Sequence, residues 1–214
     1  AMNAVDEACV AVCKSTPHLR PRIGNPDELS SNRMEGTLAA FKHRVTSPEA
    51  GVNEAVNGCV ITALNEEAIA SAALANKGGI NIIVTYEAFG VKMHGVLRQE
   101  LIFANHCLHS GRPQKWLSIP VVLTSHTYEN GKNEQSHQDP MLCEALMGEP
   151  AHVSRVVFPA DYNSAQAVME ELYTTHGQIW TIVNSKAEIP VIFTKNESRR
   201  LVKEGAIEVK SSGY

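Results

Sequence analysis

Two adjacent glutamates are the residues of this chain whose type and position best suit acid–base chemistry. Glu66 and Glu67 follow the apolar run 58–64 after the single residue Asn65, and a carboxylate beside a strand end can accept or donate a proton. Residues compatible with phosphate binding are scattered elsewhere: Arg33, Lys132, His137 and Lys186. Arginine offers a planar fork to phosphate oxygens, and lysine offers a mobile point charge. From the residues alone, solvated loop charges are the simpler interpretation.

Several function classes are disfavoured by motifs and composition. The sequence contains no GxGxxG, GxxxxGK[ST], HExxH or GxSxG motif. Its net charge of −4 does not favour a polyanion-binding surface. No apolar run approaches the roughly 18 residues that span a bilayer, and the first residues lack the order of a signal peptide. We therefore expect a cytoplasmic protein that binds neither nucleic acid nor membrane.

The cysteines favour neither a disulfide scaffold nor a metal site. They are odd in number, widely spaced and without a paired CxxC pattern: Cys9, Cys13, Cys59, Cys107 and Cys143. We expect reduced thiols and no bound metal within this chain.

Short apolar runs alternate with segments of helical character along the chain. The predicted strands are 58–64, 80–86, 119–125, 153–160, 178–184 and 189–193. Three helices are predicted. The first, 65–79, is ended by two glycines, and the second, 163–177, is capped by Asn163 or Ser164 and ended by Gly177. The third, 196–205, is capped by Asn196 and ended by Gly205. The segment 15–35 is predicted to be an irregular surface loop or an entry arm. This alternation predicts an α/β fold, a mostly parallel sheet with helices on both faces.

The predicted sheet indicates which loops should carry chemistry. In parallel sheets ligands bind beyond the carboxyl ends of the strands. Four downstream loops are unusual in composition: those containing Glu66 and Glu67, "TYEAFG", "SHTYENGKNEQSHQDP" and "NSK". These loops therefore hold the candidate site residues.

Five segments of the chain together resemble a known enzyme family. They are "GNPDELSSNRME", "NEEAIASAA" followed by "TYEAF", "LTSHTYENGKNEQSHQDP", "VVFPADYNSAQAVME" and "IVNSK". In order and spacing, residues 20 to 195 resemble the central domain of the thiamine-diphosphate-dependent phosphoketolases acting on xylulose 5-phosphate and fructose 6-phosphate. "SHQDP" and "SNR" are the most specific parts. The resemblance implies a transketolase-type pyrimidine-binding domain over 20–195, preceded by an N-terminal arm or helix (1–19) and followed by a C-terminal helix and tail (196–214).

The resemblance also implies roles for residues around the cofactor. Glu66 corresponds to the glutamate that bonds the pyrimidine ring nitrogen and assists proton loss from the reactive carbon. Glu67 is the competing assignment if the alignment slips by one residue. The glutamate that is not catalytic would then simply favour the helix amino terminus by its charge. Tyr86 and Phe89 correspond to aromatic residues of the pyrimidine pocket, although both also suit an ordinary core.

For the sugar phosphate, the resemblance implies a second set of residues. Ser31, Arg33 and Lys186 correspond to residues that bind the phosphate group. His137 corresponds to a catalytic histidine near the reacting sugar, and Asn133 to an asparagine of the same loop. Asp139 and Pro140 are expected to begin the next helix. Lys132 stands where the family has a histidine; a lysine still contacts phosphate, but its ordinary pKa is too high for proton shuttling near pH 7.

The family's diphosphate and magnesium motif, Gly-Asp-Gly with a following Asn, is absent from this sequence. The expectation is a fragment or split subunit that is inactive alone and works as a homodimer or with a separate diphosphate-binding domain. The complete enzyme would be an aldehyde-lyase that cleaves a ketose phosphate with inorganic phosphate to acetyl phosphate and an aldose phosphate. The alternative is a non-catalytic binding or regulatory module that keeps the fold.

Overall fold

The strands form one parallel sheet. The computed structural model describes residues 1–26, 28–125 and 134–208 of the 214-residue chain. Its strands are β1 (Pro21–Asn25), β2 (His43–Arg44), β3 (Glu54–Ala55), β4 (Val60–Thr62), β5 (Ile80–Tyr86), β6 (Ile119–Thr124), β7 (Ser154–Val157) and β8 (Ile179–Val183). Their order is β3-β2-β4-β1-β5-β6-β8-β7, and every strand pair in the described sheet is parallel. The predicted fold class is confirmed.

Helices cover both faces of this sheet. They are α1 (Met2–Ser15), α2 (Glu35–Phe41), α3 (Glu66–Ala75), α4 (Glu87–Gly90), α5 (His94–His109), α6 (Met141–Met147), α7 (Tyr162–Leu172) and α8 (Lys195–Glu204). Among the described residues, no helix is both long enough and apolar enough to cross a bilayer.

The two faces of β5 and β6 bury different cores. Ile82, Val84 and Val122 pack in a cluster with residues of α1 and α7. Ile83 and Val121 alternate with them and pack in a second cluster with residues of α3, α5 and α6. This alternation follows from the two-residue side-chain period of a strand. It explains why β5 and β6 are continuously apolar, since both of their faces are covered.

The predicted strand 189–193 is wrong. Residues 189–193 form no strand in the structure, because the backbone N–H groups of Ile192 and Phe193 both donate to the buried Asp161 carboxylate at 2.8 Å. Burial alone would raise the pKa of Asp161, but these two donors and the backbone and hydroxyl groups of Ser164 outweigh it and hold the pKa below its usual value. The apolar run is therefore a loop tied to α7.

The predicted surface loop 15–35 is also wrong. It contains β1, which lies between β4 and β5 in the sheet. The strand was missed because it begins with Pro21 and includes Gly24, and both residue types are poor strand formers.

Four predicted helix ends shift. Helix α3 ends at Ala75, before the two glycines that were expected to end it. Asp161, not Asn163 or Ser164, caps α7 by accepting from Ser164 N, and α7 ends at Leu172. Thr194, not Asn196, caps α8, whereas Gly205 ends it in the left-handed conformation as predicted.

Helix α3 lies directly against β1 because one residue of β1 has no side chain. A Cβ atom added at Gly24 would lie 2.4 Å from Ile69 Cγ2. Real carbon atoms do not approach so closely, so this contact requires glycine. It sets the height of α3, and of the residues at its amino end, above the sheet.

Candidate active site

The amino end of α3 presents one buried and one exposed carboxylate. The side chain of Asn65 caps the helix by accepting from Ala68 N at 2.9 Å. Glu66, the first helical residue, is only 7% exposed, whereas Glu67 faces solvent. Of the two glutamates considered from the sequence, Glu66 alone turns inward, to the carboxyl edge of the sheet.

An aromatic wall lies at the end of β5. The Tyr86 ring stands edge-on to Phe89, with centroids 5.9 Å apart, and to His137, with centroids 5.0 Å apart. His137 and Phe89 also contact each other at 5.3 Å. These flat apolar faces are suited to pack against a planar ring. The structure thus brings the predicted His137 together with Tyr86 and Phe89, about 50 residues earlier in the sequence.

Lys92 connects this wall to the carboxylate. Its Nζ donates to Glu66 Oε1 at 3.2 Å and lies 4.7 Å from the centre of the Phe89 ring. The Lys92 side chain is 57% exposed, so the ion pair contributes only about 0.2 to 1 kcal/mol. Sequence reasoning missed Lys92, because it lies 26 positions after Glu66 and nothing in the sequence signals their contact.

Two residues that were predicted to bind phosphate, Ser31 and Lys186, contact Tyr86. The Ser31 hydroxyl donates to Glu28 O at 2.8 Å and lies 2.7 Å from the Tyr86 hydroxyl. Because the Ser31 proton is engaged, Tyr86 O–H is the donor of that second bond. Lys186 Nζ lies over the Tyr86 ring, 4.6 Å from its centre.

The remaining predicted residues are only partly located. Arg33 follows the 3₁₀ turn Ser30–Asn32, is exposed, and adopts a left-handed backbone with φ of 61°. Its turn is held by the buried Asn32, which accepts from the Thr124 hydroxyl at the end of β6. Lys132 and Asn133 lie outside the described residues.

The segment bearing His137 is held by a buried glutamate that the sequence did not single out. Glu87 is 1% exposed, and its Oε2 accepts from Asp139 N at 3.1 Å. Asp139 Oδ1 in turn accepts from Met141 N, but α6 begins at Met141 with Pro140 as its N-cap, so the predicted start, with Asp139 as cap and Pro140 as first residue, is wrong by one residue. Glu87 thereby ties His137 to the helical turn that carries Phe89.

Neither a thiol nucleophile nor a metal is supported at this edge. Burial first, and then the charges of Glu87 and Glu144, raise the pKa of Cys143 to about 12, so its thiol stays protonated near neutral pH. Within residues 1–26, 28–125 and 134–208, no three His, Cys, Asp or Glu side chains cluster closely enough to hold a metal ion.

Two buried amides complete the polar groups at the strand ends. Asn25 ends β1 and donates to Val84 O at 2.8 Å, and Asn184 follows β8. Both are fully buried, and within the described part of the chain their Oδ1 atoms have no hydrogen-bond partner. These two amides, the Glu66 carboxylate and the aromatic wall therefore all lie toward the carboxyl ends of the strands.

Comparisons with solved structures show the same architecture. Transketolase from Leishmania mexicana has a TM-score of 0.72 at 17% identity, covering 97% of this chain and 28% of that chain. A chain described as the inactive β4 tetramer of a split-gene transketolase has a TM-score of 0.60 at 16% identity, covering 91% of this chain and 54% of that one. At these identities the likeness establishes a transketolase-like α/β fold.

Comparisons with sequences identify the family. A probable phosphoketolase of Schizosaccharomyces pombe is 30% identical over 188 residues, covering 86% of this chain and 22% of the relative. Xylulose-5-phosphate phosphoketolase of Lactiplantibacillus pentosus is 26% identical over 190 residues, covering 86% of this chain and 24% of the relative. The chain thus spans about a quarter of the length of these relatives. The family model for D-xylulose 5-phosphate/D-fructose 6-phosphate phosphoketolase matches residues 3–175, and the chain belongs to that family.

Proposed function

We propose that this chain is the pyrimidine-binding part of a thiamine-diphosphate-dependent phosphoketolase. The overall reaction would cleave a ketose phosphate, such as xylulose 5-phosphate, with inorganic phosphate to give acetyl phosphate and an aldose phosphate. When bound, thiamine diphosphate supplies the carbon nucleophile that attacks the sugar carbonyl. The family match supports the reaction class, and the burial of Glu66 beside an aromatic wall is the observation that carries the assignment of the site.

Glu66 would bind the ring nitrogen of the aminopyrimidine. A buried carboxylate at this point holds or moves a proton at that nitrogen, which is the contribution required from the protein in this chemistry. Tyr86 and Phe89 would pack against the ring, because their aromatic rings contact each other and Phe89 lies beside Lys92, the partner of Glu66. Lys92 must share or release Oε1 of Glu66 when the ring enters.

The sugar phosphate would lie on the other side of Tyr86. Ser31 and Lys186 already contact Tyr86, and Arg33 extends from the same turn as Ser31. A hydroxyl and two cations are donors suited to phosphate oxygens. His137, whose Nδ1 lies 2.7 Å from the Ser136 hydroxyl, would act on the sugar, and Lys132 and Asn133 would contribute from the preceding loop.

A second polypeptide region would complete the cofactor site. A magnesium ion needs a cluster of oxygen ligands, and within the described residues no three His, Cys, Asp or Glu side chains form such a cluster. We propose that the ligands for the diphosphate and its magnesium ion come from a diphosphate-binding domain, either in a longer polypeptide that pairs as a homodimer or in a separate chain. The chain alone would then form no acetyl phosphate.

Binding of the cofactor fragment tests the site without requiring turnover. We expect 4-amino-5-hydroxymethyl-2-methylpyrimidine, the aminopyrimidine half of thiamine, to shift the backbone amide resonances of Tyr86, Phe89 and Ser31 in a saturable manner. Glu66→Gln should weaken this binding at least about tenfold, since a hydrogen bond to a charged group contributes about 1.5 to 3 kcal/mol.

Glu67→Gln is the matched control, because the neighbouring glutamate is exposed. It should leave the affinity within about twofold, since a surface charge at a helix terminus is worth only about 0.3 to 1 kcal/mol to the helix. Saturable shifts confined to other parts of the sheet would contradict the assignment. Loss of binding in Glu67→Gln alone would move the role to Glu67.

One observation favours a second candidate function. Oε1 of Glu66 is already engaged by Lys92, as expected if the fold serves as a binding or regulatory module without the chemistry. Fragment binding that is absent from the chain and from Lys92→Met alike would favour this module over the enzyme.

A further inference from the structure

A pocket lined by arginines lies near the carboxyl end of α3, opposite the end that carries Glu66. It has a volume of about 220 Å³ and is lined by Arg20, Pro21, Arg22, Arg44, Asn57, Gly58, Cys59 and Ile61. Arg20 and Arg22 flank the start of β1, and Gly58 and Cys59 precede β4. The pocket therefore lies toward the amino ends of these strands, whereas Glu66 lies beyond their carboxyl ends.

The strand register places the charges on one face. Gly24 pairs with Ile61, and His43 pairs with Val60, so Arg44 lies beside Ile61 one residue further on. Side chains two residues apart on a strand share a face, which places Arg22 with Gly24. Parallel pairing thus collects cations from separate parts of the sequence beside α3.

The carboxyl end of α3 uses only one of the hydrogen-bond donors of Arg22. Its Nη1 donates to Ala72 O at 3.0 Å, one of the last four carbonyls of α3 that have no intrahelical partner. A guanidinium carries five N–H donors, and one such bond leaves the others available to the pocket. From Ala72 to Glu66 the helix rises about 9 Å, so the pocket and the candidate active site are separate.

No carboxylate in the described residues compensates this charge. The ion pairs there involve Lys77, Lys92, Arg98, Arg199 and Arg200, and none involves Arg20, Arg22 or Arg44. Burial is the largest cause of the lowered pKa of Arg22, and the like charges of Arg20 and Arg44 lower it further, so the three arginines lie close enough to act on one another.

The one acidic group of the pocket is held neutral. Burial is the largest influence on the Cys59 thiol and raises its pKa, although the three arginines act in the opposite direction. The thiol is therefore protonated near neutral pH and does not balance the arginines. The pocket carries a net charge close to +3 on groups that are the preferred donors to phosphate oxygens.

We propose that this pocket binds a small phosphate dianion, either inorganic phosphate or the phosphate group of a compact phosphate ester. Arginine forks bind phosphate through paired, charge-assisted hydrogen bonds. The volume of about 220 Å³ is below the roughly 300 to 1,000 Å³ of pockets that enclose drug-sized ligands, which favours a small anion over a nucleotide.

Binding can be followed by NMR on the chain itself at constant ionic strength. Inorganic phosphate should give saturable shifts at the Arg22 Nε–H and at the backbone amides of Gly58 and Cys59, and chloride should not. Glycerol 3-phosphate is the second probe. Shifts of the same resonances by the ester extend the site to phosphate esters, and shifts by the free ion alone confine it to inorganic phosphate.

The variants separate this pocket from the candidate active site. Arg20 and Arg44 are exposed, so Arg20→Gln/Arg44→Gln should fold normally and weaken phosphate binding at these resonances at least about tenfold. Arg112→Gln removes the same charge from another exposed position and should leave binding within about twofold. Arg33→Gln should leave it equally unchanged, because Arg33 belongs to the proposed substrate site.

Chemical protection gives a second readout. Bound phosphate should slow alkylation of Cys59 by iodoacetamide at least about threefold, as expected when an anion covers the thiol and offsets its arginines. Cys107, which is also half-buried, should react at an unchanged rate. The proposal is overturned if phosphate shifts no resonance near Cys59, if Arg112→Gln weakens binding as much as the double variant, or if binding depends on Arg33 alone. The last result would leave the proposed function standing.

Discussion

The two edges of the sheet hold positive charge in different ways. At the carboxyl edge, Lys92 contacts the Glu66 carboxylate and the Phe89 ring, and Lys186 lies over Tyr86. At the amino edge, three arginines share a pocket without a carboxylate among the described residues. A lysine ammonium that lies over an aromatic ring can be moved aside by a ligand at small cost. Adjacent arginines repel one another, and this repulsion is relieved when an anion binds between them. The first arrangement suits an aromatic ligand, and the second suits phosphate.

Replacement of Glu66 should have the largest effect and would test the carboxyl edge most directly. In a longer polypeptide that also carries the family's diphosphate-binding domain, Glu66→Gln keeps the side-chain volume and removes the basic carboxylate. Hydrogen–deuterium exchange at the reactive carbon of the cofactor should slow by a factor on the order of 10² to 10⁴. Glu67→Gln should leave exchange nearly unchanged, and NMR measures both rates. Slowed exchange in Glu67→Gln alone would transfer the role to the exposed residue.

The Tyr86 hydroxyl tests whether the carboxyl edge depends on more than stacking. Tyr86→Phe keeps the ring beneath Lys186 and removes the bond to Ser31. We expect the free energy of unfolding to fall by about 0.5 to 1.5 kcal/mol, measured by urea denaturation. Tyr162→Phe also removes a tyrosine bond, but to the exposed Glu7, and should cost less. An equal loss of unfolding free energy in both variants would mean that burial does not strengthen the hydrogen bond between Tyr86 and Ser31.

The sequence predicts those features of the two edges that depend on local patterns, and it misses those that depend on contacts between residues far apart in the chain. The continuous apolar runs of β5 and β6 predict buried parallel strands, and the position of Glu66 after a strand indicates its edge of the sheet. The run 189–193 misled because Asp161, about 30 residues earlier, takes its backbone donors. Lys92 and the three arginines were not predicted, since only tertiary packing places Lys92 on Glu66 and only strand register collects the arginines.

Lys92 should modulate the carboxyl edge moderately. Lys92→Met keeps an unbranched side chain beside Phe89 and frees Oε1 of Glu66, so the aminopyrimidine fragment should bind about twofold to fivefold more tightly. Calorimetric titration measures the change. Lys77→Met is the control, because Lys77 pairs with Glu100 and stacks on Trp116 away from this site. Weaker binding in Lys92→Met would show instead that the lysine orients Glu66 for the ligand.

A smaller effect is expected at the amino edge, where charge acts on a thiol. The arginines lower the pKa of Cys59 against the larger effect of burial, so Arg44→Gln should raise that pKa further. At a fixed pH below the pKa, the thiolate fraction and the alkylation rate of Cys59 should fall about twofold. Mass spectrometry compares this rate with that of Cys107. An unchanged rate at Cys59 would place the Arg44 charge away from the thiol.

The absence of a side chain at Gly24 has a consequence for sequence variation. Because Ile69 occupies the space that a methyl group at position 24 would need, we expect Gly24→Ala to displace Ile69 and, with it, α3. Glu66 begins that helix and Arg22 holds its last turn, so both edges would move although neither site contains the substituted residue. In a survey of variants, Gly24 would therefore behave as though it belonged to two binding sites at once.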